Sequence, residues 1–211
     1  MIETREIPGN KIIQLRLLKA VAAPQLDFGS IEELLKQEPS LLYRFLRYLN
    51  SPVLGLRSEV HSVPQALSLL GECEFRRWVS IFSVIALSSG KPPELIRTAL
   101  TRAYFCEEIS RHIGLQDKSS SLFLMGLLSV ADALLDKSMS DVLKLLPVSR
   151  EIKTALCGGE NSFRDVYELL LAFERADWAR LVTHVQRVGC TEENVPESYQ
   201  AAIQKASTVS L

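Results

Sequence analysis

Leu41-Leu42-Tyr43-Arg44-Phe45-Leu46-Arg47-Tyr48-Leu49-Asn50-Ser51-Pro52 is followed, after a loop containing Gly55, by Ser62-Val63-Pro64-Gln65-Ala66-Leu67-Ser68-Leu69-Leu70-Gly71. In the first run Leu41, Leu42, Phe45, Leu46 and Leu49 recur at three- and four-residue spacing, with Arg44 and Arg47 off that stripe. This is the period of an amphipathic helix. Asn50-Ser51-Pro52 ends it, because proline disfavours helical geometry in the residue before it. In the second run Ser62 and Gln65 have the spacing of a capping box, in which Gln65 reaches back to the Ser62 N–H. Pro64 sits in the first turn, where a missing N–H costs little. Gly71 closes that short helix, and Phe75, Trp78, Val79, Phe82 and Ile85 set the buried stripe of a longer one over 72–87.

The same punctuation extends in both directions. Upstream, Ser30 and Glu33 predict a capping box opening a helix over 31–36, and Glu38-Pro39-Ser40 separates it from the next. Downstream, Ser88-Ser89-Gly90-Lys91-Pro92-Pro93 combines small residues with two prolines that no helix interior accepts. It is read as a linker, 88–93, between an N-terminal lobe at 11–88 and a C-terminal lobe at 94–205, with tails at 1–10 and 206–211. In the second lobe, helices are predicted over 94–112, over an almost wholly apolar 121–135, and from a cap at Ser138 and Asp141. Others follow over 149–157, closed by Gly158-Gly159, over 162–173 and 178–188, and after a cap formed by Asn194 and Glu197. No segment alternates with period two, so the expected class is all-α, a two-lobed helical domain.

Composition narrows the classes of function. Of 211 residues 47% are hydrophobic, enough for a full core, and 24 basic residues stand against 25 acidic ones. A general nucleic-acid binder needs a basic excess or a strongly basic face, and this balance argues against one. Cys73, Cys106, Cys157 and Cys190 show no paired spacing and read as buried or half-buried thiols in a reducing compartment. The first residues lack the basic-then-apolar order of a signal peptide, and no apolar run reaches spanning length. A cytoplasmic protein with no membrane partner is expected.

Chemistry-bearing residues are sparse. His61, His112 and His184 have no second ligand at helical spacing and are expected to be solvated or capping. Adjacent carboxylates at Glu32-Glu33, Glu107-Glu108 and Glu192-Glu193 point about 100° apart on a helix, so a solvated face is expected instead of an acid/base dyad. Arg76-Arg77-Trp78, with Arg44, Arg47 and Arg57, has two readings. Guanidinium groups beside an indole grip a phosphate or an acidic partner, or one arginine is buried and paired with Trp78 in the core.

The ordered set, a leucine-rich helix ending in Asn50-Ser51-Pro52, then Gly55, Ser62, Gln65, Ala66 and Gly71, and finally Arg76-Arg77-Trp78, resembles the HDOD family. The resemblance implies an HD-phosphohydrolase-like helical fold and a family motif whose residues Asn50, Ser51, Pro52, Gly55, Ser62, Gln65, Ala66 and Gly71 are structural. In HD enzymes a His-Asp pair on an apolar helix binds the metal. Here the corresponding run is Met125-Gly126-Leu127-Leu128-Ser129-Val130-Ala131-Asp132, so Ser129 and Val130 stand in place of the pair. The stretch Thr101-Arg102-Ala103-Tyr104, where an upstream histidine is implied, has none, and Asp132 is a single stray carboxylate. The expectation is therefore no metal, no cofactor, no catalytic residue and no enzymatic activity.

Arg102-Ala103-Tyr104-Phe105-Cys106-Glu107 and Glu174-Arg175-Ala176-Asp177-Trp178 further resemble the C-terminal half of bacterial EAL–HDOD proteins, whose EAL domain hydrolyses cyclic di-GMP. That implies a regulatory output module working through protein partners, with an EAL domain as partner if one shares the chain. The alternatives are a metal-dependent phosphohydrolase of HD type and a regulator that binds a nucleotide or nucleic acid through Arg76, Arg77 and Trp78.

Overall fold

A computed structural model describes residues 11–23, 25–51, 60–146 and 148–209. Pro52, Gly55, Arg57 and the tail at 1–10 lie outside them. The described residues hold twelve α-helices and no strand. They divide into two compact units, one of residues 11–90 with 144–146, the other of 91–143 with 148–209.

In the first unit α1 (Ile12–Ala22), α2 (Phe28–Lys36) and α3 (Pro39–Leu49) pack around α4 (Val63–Leu87). The α3 stripe read from the sequence supplies Leu41, Phe45 and Leu49 to the core. There the Phe45 ring meets Phe75 and Phe82 edge-on, at 5.9 and 6.0 Å between centroids. Tyr48 lies over Trp78 at 4.0 Å. Gly71 interrupts α4 at φ 75°, ψ 167°, a conformation that a side chain would strain, so the short and long helices of the sequence reading join at a kink.

In the second unit α5 (Pro93–Ser110) is central. It packs on α6 (Ser119–Leu128), on α10 (Ser162–Glu174) and on α12 (Asn194–Thr208). Between these come α7 (Ala131–Leu135), α8 (Met139–Leu145), which ends among the residues grouped with the first unit, α9 (Arg150–Leu156) and α11 (Trp178–Val188). Gly126 sets the α5–α6 spacing. A Cβ there would stand 2.4 Å from the Arg102 carbonyl oxygen and 2.7 Å from Ala103 Cα, so only glycine admits this backbone contact.

Several local expectations are corrected. Ser30 does not cap α2. The helix begins at Phe28, and Asp27 accepts from the Ser30 N–H (3.1 Å) and hydroxyl (2.6 Å), a charged acceptor suited to a helix N-terminus. The apolar run 121–135 is not one helix, because it breaks at Ser129 and Val130 into α6 and α7. Asn194 does not cap α12. Its side chain instead accepts from the Thr191 N–H and hydroxyl, closing the preceding turn, and the helix runs on to Thr208 with Val209 buried behind it. Cys73 and Cys157 are exposed, whereas Cys106 is fully buried with its thiol pushed up to about 12 by desolvation.

Candidate functional site

The family-motif residues form a clasp in the first unit. The Asn50 amide donates to the Val60 carbonyl at 2.8 Å and accepts from the Val60 N–H at 2.7 Å, satisfying both backbone groups as a paired strand would. Ser62 caps α4 by accepting from the Gln65 N–H at 3.3 Å. Gln65 does not return to Ser62 as the capping box predicted. Its Oε1 accepts from the His61 N–H at 2.9 Å, one residue further out. Ala66 is fully buried at the start of α4.

Arg76, Arg77 and Trp78 do not converge on an open site. Trp78 is buried against Tyr48 and Phe82. Arg76 pairs with Glu72 one turn earlier and donates to the carbonyls of Val21 and Ala23, tying the end of α1 to α4. Arg77 pairs with Glu74 at 3.0 Å. Arg44 and Arg47 are exposed on α3, with Arg47 over the Tyr43 ring at 5.9 Å.

The second unit brings together the stretches in which the resemblance implied missing ligands. Arg102 on α5 holds Glu174 on α10 through two guanidinium nitrogens, at 2.7 and 3.0 Å, and donates to Ser129 Oγ at 3.3 Å. Both charged side chains are only 16% exposed, so solvent screens this pair weakly. Burial works against the Arg102 cation, and the Glu174 carboxylate beside it more than offsets this, holding its pKa above the usual value. Ser129 stands beside the Tyr167 hydroxyl, whose pKa burial raises. Cys106 completes the wall. Val130 is buried and apolar, and Asp132 is exposed, accepting from the Ala133 N–H at the start of α7.

This donor set does not fit a divalent metal. It offers one carboxylate, already occupied by a guanidinium, beside two hydroxyls and the Cys106 thiol, which burial keeps protonated. Among the described residues no three His, Cys, Asp or Glu side chains come together as a metal-holding group. A fixed monovalent cation, the guanidinium of Arg102, ties α5, α6 and α10 at this point instead.

Sequence reasoning missed this junction. Its partners are 72 residues apart, although both lie in stretches that carry the resemblance. It also misplaced two features. Glu107 and Glu108 are buried, not on a solvated face, and Glu108 pairs with Arg111 at 2.7 Å and with Lys205 of α12. His184 is buried with no hydrogen-bond partner at Nδ1, and burial lowers its pKa. Leu181, His184 and Val185 sit at i, i+3 and i+4, a stripe that the sequence already displays.

The HDOD domain family model matches residues 7–161. The cyclic di-GMP phosphodiesterase CdgJ of Vibrio cholerae serotype O1 is 32% identical over 195 residues, 92% of this chain and 45% of that protein. The uncharacterized protein YuxH of Bacillus subtilis is 31% identical over 165 residues, 77% of this chain and 40% of that protein. The chain thus spans less than half the length of the curated relatives it matches. No solved structure matches it. The expectation of no enzymatic activity is overturned by the Vibrio relative, which is named for a phosphodiesterase. That expectation ran from one missing metal pair to a missing activity, and Ser129 and Val130 speak only to one metal chemistry on one helix. Family model and relatives agree with the motifs around Asn50 and Gln65: this chain belongs to the HDOD domain family.

Proposed function

We propose that this chain is the HDOD-bearing regulatory part of a protein of cyclic di-GMP signalling, and that it influences breakdown of that nucleotide through protein contacts. The observation that carries the reading is the match across 92% of the chain to a protein named a cyclic di-GMP phosphodiesterase. The Arg102–Glu174–Ser129 junction supports it. Spending a buried ion pair on locking three helices together builds a stiff scaffold, as a module that transmits contacts requires. The partner in this reading is a protein surface, an EAL domain among the candidates.

The test is to quantify cyclic di-GMP by mass spectrometry in cells that overproduce the natural protein carrying this sequence, beside cells that lack it. Overproduction is expected to lower the nucleotide several-fold, and deletion to raise it. Levels that stay equal in both strains and in the parent sink the reading.

A further inference from the structure

Among the described residues of the second unit, Trp178 and Val182 on α11 and Ile203 on α12 are large apolar side chains open to water. Trp178, the first residue of α11, is 60% exposed, and Val182, one turn on, is 39% exposed. The α11 sequence WARLVTHVQRV contains no acidic residue. Its buried stripe is Leu181, His184 and Val185, leaving an outer arc with Trp178 and Val182 along one edge and Arg180 and Arg187 along the other. Arg175 is exposed just before it. Among the described residues Arg175 and Arg180 form no ion pair, and Arg187 reaches Asp165 only at 3.6 Å.

The indole is held, not trailing. Phe173 packs edge-on to it at 6.4 Å and is itself against Tyr199 at 5.0 Å. The turn that delivers Trp178 is pinned at both ends, by Glu174 on Arg102 and by Asp177, which caps α11 by accepting from the Arg180 N–H at 3.1 Å. Within it Ala176 is left-handed (φ 54°), and the N–H groups of Ala176 and Asp177 close on the carbonyls of Phe173 and Ala172. That is a Schellman ending with alanine where glycine is usual. A strained residue beside a fixed, exposed tryptophan is a combination found where contacts are made.

We propose that the outer face of α11, with Trp178 and Val182 as anchor and Arg175 and Arg180 as rim, docks an acidic amphipathic helix of a partner protein. The inference rests on the reading that the module works through protein contacts, and it names the partner's chemistry. Complementary charge decides the choice: a face with exposed arginines and no helix carboxylate selects glutamate- and aspartate-rich surfaces. A preorganised tryptophan loses little freedom on binding. Two apolar side chains bury too little hydrocarbon to hold a bilayer, so a protein is the occupant.

The probe is a labelled helical peptide of about five turns, with leucines at three- and four-residue spacing and glutamates along one flank. Its control carries lysine for glutamate. Because Trp78 is 5% exposed, a change in acrylamide quenching of the protein on adding peptide reports Trp178. The glutamate peptide is expected to shift the emission to the blue and cut quenching several-fold, with no effect from the lysine peptide. By anisotropy, Trp178→Ala, Val182→Glu and Arg180→Glu should each weaken binding about tenfold or more while retaining the helical circular dichroism. No binding, equal binding of both peptides, or capture by phosphatidylcholine–phosphatidylglycerol vesicles in place of the peptide overturns the proposal. Trp178→Ala is also placed in the natural protein and cyclic di-GMP measured. A variant that acts like wild type overturns the docking face and leaves the signalling role standing. A wild-type protein without effect defeats the signalling role, and peptide binding then decides the docking face by itself.

Discussion

Replacing Arg102 by Met and Glu174 by Leu, singly and together, isolates what the junction contributes. The two charges meet through two short hydrogen bonds, and each side chain is 16% exposed. At an effective dielectric constant of about 20, unit charges about 4 Å apart attract by roughly 4 kcal/mol before desolvation is counted. Either single change strands the other charge beside Ser129 and the Cys106 wall, where water reaches it poorly. Leaving a buried charge unpaired costs about 3–5 kcal/mol, and the residual exposure places these variants at about 3 kcal/mol. The double variant has no charge to strand, so it should cost no more than either single change, a coupling of about 3 kcal/mol. Urea unfolding followed by circular dichroism reads this directly, with m values unchanged. Single costs that add to within about 0.5 kcal/mol in the double variant refute the argument, because they mean the guanidinium and carboxylate act independently.

Gly126→Ala should destabilise the second unit by about 3 kcal/mol or more, since its Cβ meets the Arg102 backbone at 2.4 Å; an unmoved urea midpoint would contradict the α5–α6 contact. Ser62→Ala should cost about 1 kcal/mol through loss of the α4 cap, read from the same midpoint. Ala176→Gly should stabilise by about 0.5–1 kcal/mol, the relief at φ 54° exceeding glycine's larger unfolded-state entropy; a lower melting temperature counts against the strain. For His184 the folded pKa lies below the ordinary 6.5, so the unfolded chain takes the proton first. Stability is therefore full above 6.5 and falls as pH drops through it toward the folded pKa. Urea midpoints at about pH 7.5 and about pH 5.5 should differ less in His184→Gln than in the parent.

Much of the fold was legible because helix signals are local. The α3 stripe of Leu41, Phe45 and Leu49, the end of α3 at Asn50, the cap at Ser62 and the break at Gly71 are each set within a turn or two. The α2 start went wrong for a local reason too: Asp27 and Ser30 both offer capping oxygens, and only backbone geometry chooses between them. His184 is the avoidable miss, since its place on the buried stripe of α11 was readable from spacing alone.

The sequence by itself determined the helical class, the family and the absence of the His-Asp pair at Ser129 and Val130, because these rest on periodicity, on motif order and on residue identity. What stands at that position was decided only by tertiary structure. Arg102 and Glu174 are separated by 72 residues, and nothing local distinguishes them from the other arginines and glutamates. Their pairing exists because Gly126 lets α5 and α6 touch through backbone and α10 packs on α5 beside them. The same holds for Glu108, which reads as a surface residue until Lys205, 97 residues later, is folded against it. Burial of a charge is a property of what surrounds it, and those surroundings are assembled from distant parts of the chain.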